Sequence, residues 1–157
     1  MALVGPLFFD TTVLLAGLIE LGPASAHAQR VMTAVAGGRL RVPRTAWHCC
    51  LEFYAVATRL PEEFRLAPDD ARRLIEEEIL VRFQVHQLAP RGRAAFLDGA
   101  ALDRVAGGRI YDAHIAEVAR QAGAATVVTD NRRHFSTLAR HGIRLMSTEE
   151  LAGGVRV

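Results

Sequence analysis

Residues 5–15, "GPLFFDTTVLL", are almost entirely apolar, and one carboxylate, Asp10, interrupts them. The apolar run before Asp10 predicts a short buried strand, and the run after it predicts a helix from Val13, capped by Thr11 or Thr12. Burial of an unpaired carboxylate costs roughly several kcal/mol unless the group is paired, protonated or bound to a metal ion. A charge at the end of a buried strand therefore points to a partner elsewhere in the chain.

Length and composition fit one globular domain over residues 1–157, since 50% of the residues are hydrophobic and the chain is long enough to bury a core. No apolar run approaches the roughly 18 residues that cross a bilayer, so we expect no membrane association. The two cysteines, Cys49 and Cys50, are adjacent, cannot form a disulfide framework, and indicate a reducing, cytoplasmic location.

All 19 basic residues are arginine, and this absence of lysine excludes several classes of enzyme. A phosphate-binding P-loop needs a lysine, as does Schiff-base catalysis. Haloacid-dehalogenase phosphatases and response-regulator receivers also place an Asp after their first strand, but both need a lysine further on. The net charge of +2 is mildly basic. It is compatible with an acidic site inside an arginine-rich surface that binds a polyanion, and equally with ordinary solubility.

Beyond the opening stretch, segments typical of strands and helices alternate, which predicts a central parallel sheet with helices on both faces. Residues 61–80 lie between two strands and are expected to form a helical arm. Strands are expected over 40–43, 82–88, 125–130 and 143–147, and helices over 24–38, 45–60, 67–80, 90–108, 111–124 and 134–142. A capping box at Ser147 and Glu150 predicts a last helix.

Four carboxylates are candidates for a functional site. Asp10 and Asp130 each follow a strand, and ligands of parallel sheets bind beyond the carboxyl ends of the strands. Glu52 lies in a helix that is apolar nearly all round, where a charge is seldom a solvated face, and His48 lies one turn before it on the same side. Asp112 begins a helix after a Gly-Gly loop. The three Asp residues could instead cap helices or lie in loops without a functional role. Glu52 could instead lie on an exposed polar stripe of its helix.

Four stretches in this order resemble a PIN domain, and more narrowly the VapC-type toxins of toxin–antitoxin pairs: "FFDTTVLL" (8–15), "LEFYAVATR" (51–59), "GGRIYDAHIAEVARQAGA" (107–124) and "TVVTDNRRHF" (126–135). The resemblance covers nearly the whole chain and implies a metal-dependent endoribonuclease. It also implies a homodimer that binds a cognate VapB-like antitoxin. The implied site comprises the acids Asp10, Glu52, Asp112 and Asp130, the polar neighbours Thr11, Thr12 and Thr129, and Asn131 as an auxiliary residue of the ligand shell.

The chemistry of the donors agrees with this expectation. Carboxylate oxygens without a cysteine and histidine set suit Mg²⁺ or Mn²⁺ rather than Zn²⁺. Two such ions, about 3.5–4 Å apart, would bind the scissile phosphate of an RNA substrate. Asp10 would then be tolerated at the end of its strand because a metal ion takes up its charge.

Other polar and aromatic residues have weaker assignments. Three arginines flank the acids and are candidates for contact with the RNA backbone, with solvated surface roles equally open: Arg109, Arg132 and Arg133. His114 lies two positions after Asp112 and is expected to be structural, and His134 is expected to start a helix. Trp47 and Tyr54 are expected in the core or facing a partner, rather than stacking on bases.

Two alternative functions remain at this stage. A structure-specific DNA nuclease would keep the chemistry, but the chain is short for the additional domains that clamp DNA. A non-catalytic binding module would keep the fold, and the presence of all four acids argues against it.

Overall fold

A computed structural model describes residues 5–155, and its five short strands form one sheet in which every pairing is parallel. The strands are β1 (Leu7–Phe9), β2 (Arg44–Ala46), β3 (Gln84–His86), β4 (Thr126–Val128) and β5 (Arg144–Met146). Their order is β3-β2-β1-β4-β5, so β1 is central and pairs with β4 in the register Phe8 opposite Val127. The predicted parallel sheet is confirmed.

Helices connect successive strands and cover the sheet. They are α1 (Thr11–Leu18), α2 (Ala26–Ala36), α3 (Trp47–Ala57), α4 (Pro68–Leu74), α5 (Arg93–Leu102), α6 (Arg109–Gln121) and α7 (Thr148–Gly154). A π-helical turn continues α4 over Ile75–Leu80, and 3-10 segments span Pro23–Ser25, Pro90–Gly92 and Arg132–His141. Every residue of β1 and β4 is buried, as central strands of a sheet covered on both faces must be.

One apolar core extends from the central strands to the helices around them, with Phe8, Phe9 and Val127 fully buried. Helix α1 packs closely on α2, and Gly17 permits this because a Cβ at that position would clash with the side chain of Met32. Helix α1, which follows Asp10, is therefore held against α2 by close packing.

The position of β2 differs from the sequence prediction. No strand forms over residues 40–43; β2 begins at Arg44 instead, and α3 begins at Trp47 rather than at Thr45. Pro43 has no N–H to donate, and its carbonyl accepts the first bond from Gln84 at 2.9 Å. The buried hydroxyl of Thr45 donates to the carbonyl of Phe9 at 2.8 Å, which ties β2 to β1.

Two further boundaries were predicted wrongly. Helix α1 begins at Thr11, and its cap is Asp10 rather than a threonine, because the Asp10 side chain accepts the backbone N–H of Val13. Helix α5 ends at Leu102 and does not reach the Gly-Gly pair, since Arg104 adopts a left-handed backbone conformation (φ 53°) that turns the chain.

The helix expected over residues 134–142 is instead part of a 3-10 segment that ends at His141, with Gly142 as its C-terminal cap. The capping box of Ser147 and Glu150 is confirmed. Within residues 5–155, no helix is both long and apolar enough to cross a membrane.

Candidate active site

Asp10 is a buried carboxylate at the junction of β1 and α1, with 3% of the residue exposed. Its Oδ1 accepts the Thr12 hydroxyl at 2.7 Å and the backbone N–H of Val13 at 3.2 Å. Its Oδ2 accepts the hydroxyl of Thr129, which follows β4, at 2.6 Å. Burial raises the pKa of the Asp10 carboxyl to about 6, although these hydrogen bonds favour the charged form. A cation bound nearby would stabilise the charged form of this buried carboxylate.

Glu52 reaches the same edge of the sheet from α3. The hydroxyl of Thr11, the residue after Asp10, donates to Glu52 Oε1 at 2.8 Å. On its other side, His48 Nε2 lies 3.5 Å from Glu52 Oε2, so the contact that the one-turn spacing predicted is present. Thr11 therefore links the two acids, since it follows Asp10 in the chain and donates a hydrogen bond to Glu52.

Asp112 lies in the first turn of α6 but does not cap that helix, since it is the fourth helical residue and Gly108 occupies the cap position. His134 Nδ1 lies 2.8 Å from Asp112 Oδ2. Burial is the largest cause that raises the pKa of Asp112, and the charge of Glu52 raises it further, while His134 acts in the opposite direction. Asp112 and Glu52 are thus close enough for their charges to repel each other.

Asp130 follows β4, and both of its carboxylate oxygens are bound by the first residue of α7. The backbone N–H of Thr148 donates to Oδ1 at 2.9 Å, and the Thr148 hydroxyl donates to Oδ2 at 2.8 Å. The charge of Asp130 also raises the pKa of Asp10, after the larger effect of burial. Asp130 therefore lies near Asp10 but is engaged at the N-terminus of a helix.

The four predicted acids form two neighbouring pairs, Asp10 with Asp130 and Glu52 with Asp112, which the Thr11–Glu52 bond connects. In the part of the chain that is described, no three His, Cys, Asp or Glu side chains form a group that could hold a metal ion. In this arrangement, threonine hydroxyls donate hydrogen bonds to Asp10, Glu52 and Asp130, and His134 contacts Asp112.

The three candidate arginines differ in their surroundings. Arg109 begins α6 one turn before Asp112 and acts electrostatically on that carboxylate. Arg132 forms an ion pair with Glu150 of α7. Arg133 is exposed and borders a hollow of about 310 Å³ at the end of β4, which Asp130 also lines. Arg109 and Arg133 are therefore the more available cations at this edge.

An apolar groove of about 470 Å³ lies beside the acids, between α3, α5 and α6. The ring of His48 stacks on Tyr111 with centroids 5.5 Å apart and meets the edge of His114 at 5.1 Å. Trp47 is 39% exposed and Leu51 is 53% exposed. Helix α3 is therefore not buried all round, and its outer face is apolar.

The inner face of α3 carries the two cysteines, and both thiols are buried and free. Burial raises the pKa of Cys49 to about 12 and that of Cys50 to about 11. Neither group is a thiolate at neutral pH, so neither has the character of a nucleophile. Their burial is that of small packing residues.

Sequence reasoning missed two residues that touch the acids, Thr148, which donates to Asp130, and His134. His134 is the third residue of the 3-10 segment and contacts Asp112, a residue 22 positions earlier, as well as the amide of Asn131. The signal available in the sequence was its place four residues after Asp130, in a loop at the carboxyl end of a strand.

Comparison with known proteins gives a match to the family model described as "PIN domain", over residues 6–133. Ribonuclease VapC27 of Mycobacterium tuberculosis is 34% identical over 131 residues, which are 81% of this chain and 86% of that protein.

Solved structures with the same fold are more distant in sequence. VapBC2 from Rickettsia felis, bound to a promoter DNA fragment, matches with a TM-score of 0.60 and 11% identity over 91% of this chain and 98% of that chain. FitAB bound to the IR36 DNA fragment matches with a TM-score of 0.58 and 17% identity, over 90% of this chain and 94% of that chain. FitAcB from Neisseria gonorrhoeae matches with a TM-score of 0.57 and 18% identity, over 91% and 98%. At these identities the likeness concerns the fold.

Proposed function

Because this chain belongs to the PIN-domain family, we propose that it is a metal-dependent endoribonuclease and the toxin of a VapBC-type pair. The observation that carries the proposal is the placement of Asp10, a desolvated carboxylate, at the carboxyl edge of the sheet beside three further acids. The similarity to Ribonuclease VapC27 supports RNA as the substrate class. The proposed reaction is hydrolysis of a phosphodiester bond.

The donors suit Mg²⁺ or Mn²⁺ in their chemistry, since the four acids offer hard carboxylate oxygens and Asp10 is buried without a cationic partner among residues 5–155. The residues that would hold one or two ions are Asp10, Glu52, Asp112 and Asp130, with Thr11, Thr12, Thr129 and Asn131 as polar neighbours. A bound ion would supply a water of lowered pKa and would offset negative charge on the scissile phosphate.

The residues of the chain itself would position the substrate. Arg109 lies near Asp112 and Arg133 lies near Asp130, and their guanidinium groups would bind backbone phosphates of the RNA. Arg132 would have to exchange its ion pair with Glu150 to do the same. Asp10 is almost wholly buried, so little water screens its charge. The attraction of this carboxylate for cations is therefore stronger than at the surface.

The partners that we propose are a second copy of this chain and a cognate VapB-like antitoxin. The support is the apolar outer surface of α3 and its neighbours, where Trp47, Leu51, Tyr54, Leu97 and Tyr111 are exposed. Clustered exposed apolar residues of this kind usually mark an interface between proteins. The structure of VapBC2 from Rickettsia felis, which matches this chain in fold, supports a partner of this kind.

The test is cleavage of single-stranded RNA and single-stranded DNA by the purified chain, with Mn²⁺ and with EDTA. We expect cleavage of RNA that needs Mn²⁺, and a rise in melting temperature with Mn²⁺ that Asp10→Asn lacks. Full cleavage of RNA in EDTA would contradict the metal requirement, and preference for DNA would favour the structure-specific nuclease. A chain that is monomeric at micromolar concentration and harmless on expression would contradict the toxin assignment while leaving the nuclease intact.

A further inference from the structure

The segment that follows β4, residues 129–134, contacts acids at both of its ends. At its start, the hydroxyl of Thr129 donates to Asp10 Oδ2 at 2.6 Å. The same hydroxyl oxygen accepts the backbone N–H of Asn131 at 2.9 Å. Thr129 is fully buried, so this end of the segment is fixed to the centre of the sheet.

At the other end, the imidazole of His134 meets Asp112 on α6. Its Nδ1 lies 2.8 Å from Asp112 Oδ2, and the side-chain amide of Asn131 lies 2.9 Å from the same ring nitrogen. Residues 129–134 thus contact both the carboxylate at the end of β1 and the carboxylate on α6.

We infer that His134 is a positioning residue that orients the Asp112 carboxylate for the metal ion of the proposed active site. A carboxylate on a helix can rotate about its side-chain torsions, and a close polar contact at one oxygen favours the rotamer in which the other oxygen remains free. The His134 ring contacts Oδ2, which leaves Oδ1 of Asp112 as the oxygen available to a metal ion. This inference rests on the proposed metal-dependent function.

A merely structural role makes a different prediction. The His134 and Asp112 side chains are 47% and 30% exposed, and contacts between partly exposed charged groups contribute little to folding stability. A contact that was merely structural would therefore affect neither the melting temperature nor Mn²⁺ binding by much when the imidazole is removed. A residue that orients a metal ligand would also leave the melting temperature nearly unchanged, but its loss typically costs 10–100-fold in metal affinity. The two roles are separable in one set of variants.

The experiment compares His134→Phe, which removes the ring nitrogens, with His134→Asn, whose side-chain amide can donate at the position of Nδ1. His141→Phe is the matched control, because His141 is an exposed histidine of the same 3-10 segment. Mn²⁺ affinity is measured by calorimetry on each folded protein, and RNA cleavage is measured at saturating Mn²⁺.

We expect His134→Phe to weaken Mn²⁺ binding about 10-fold and to lower kcat with KM for RNA unchanged. His134→Asn should recover most of the affinity, and His141→Phe should behave as wild type. Equal Mn²⁺ affinity in wild type and His134→Phe would overturn the inference and leave the proposed function standing. A change in KM alone would also overturn it, since His134 would then contact RNA. If wild type binds no Mn²⁺, the proposed function fails, and the inference fails with it.

Discussion

Replacing Asp10 with Asn should remove a pH dependence from the stability of the metal-free protein. Asp10 is 3% exposed, and burial raises its pKa from 3.8 to about 6. At pH values below the unfolded pKa, the carboxyl is protonated in both the folded and the unfolded chain and makes no difference to stability. As the pH rises from about 4 to about 6, the unfolded chain releases this proton while the folded chain retains it, so the free energy of unfolding falls.

The size of the effect follows from the shift. A shift of about two pKa units at about 1.4 kcal/mol each lowers the free energy of unfolding of the wild type by about 3 kcal/mol in all, most of it between pH 4 and pH 7. The Asn variant has no proton to release and keeps that 3 kcal/mol. Its net gain at pH 7 should be smaller, about 1 kcal/mol, because the Thr129 hydroxyl loses a charged acceptor at 2.6 Å.

The assay is urea unfolding of wild type and Asp10→Asn in EDTA at pH 4, 5, 6 and 7, with the difference between the two taken at each pH. Every titrating group that the two proteins share cancels in this difference. Asp98→Asn, a change on the exposed surface of α5, controls for the loss of one negative charge. Parallel pH profiles for wild type and Asp10→Asn would refute the reasoning, because they would mean that burial does not alter the ionisation of Asp10.

Further predictions concern the other three acids. Glu52→Gln and Asp112→Asn should each lower the rate of RNA cleavage by more than about 100-fold. This loss exceeds the loss usually seen when a residue that contacts only a metal ligand is removed. Their melting temperatures should be unchanged or raised, since each change removes one of two repelling charges; a uniform fall would indicate a structural role instead. Thr148→Val should lower the free energy of unfolding by about 1–2 kcal/mol in urea titrations, because Asp130 loses a hydroxyl donor at 2.8 Å. Asp130→Asn should reduce cleavage less than the other acid substitutions, and a loss as large as that of Glu52→Gln would contradict the engagement of Asp130 with Thr148.

Those parts of the fold that depend on local pattern could be predicted from the sequence. The apolar runs before Asp10 and Asp130 identify β1 and β4, and two strands of a parallel sheet end at the same edge, so the proximity of these acids follows. The contact between Glu52 and His48 follows from the spacing of one helical turn.

Other features depend on backbone geometry that residue types specify weakly. The end of α5 is set by Arg104, a residue with a positive φ, whereas the sequence pointed to glycine for that role. The contacts of Asp112 with His134 and of Asp130 with Thr148 join residues 22 and 18 positions apart, and they depend on how the chain turns after β4. A sequence pattern can place these residues near the site but cannot orient their side chains.

The buried thiols of α3 have an experimental consequence. Alkylating reagents attack the thiolate, and Cys49 and Cys50 have raised pKa values and are almost wholly inaccessible in the native fold. Modification therefore requires α3 to open from the elements packed against it, and the rate of modification measures how often that opening occurs. Because Glu52 lies on the same helix, pulsed alkylation followed by mass spectrometry reports directly on the opening of an element of the candidate site, with the natural cysteines as the only probes.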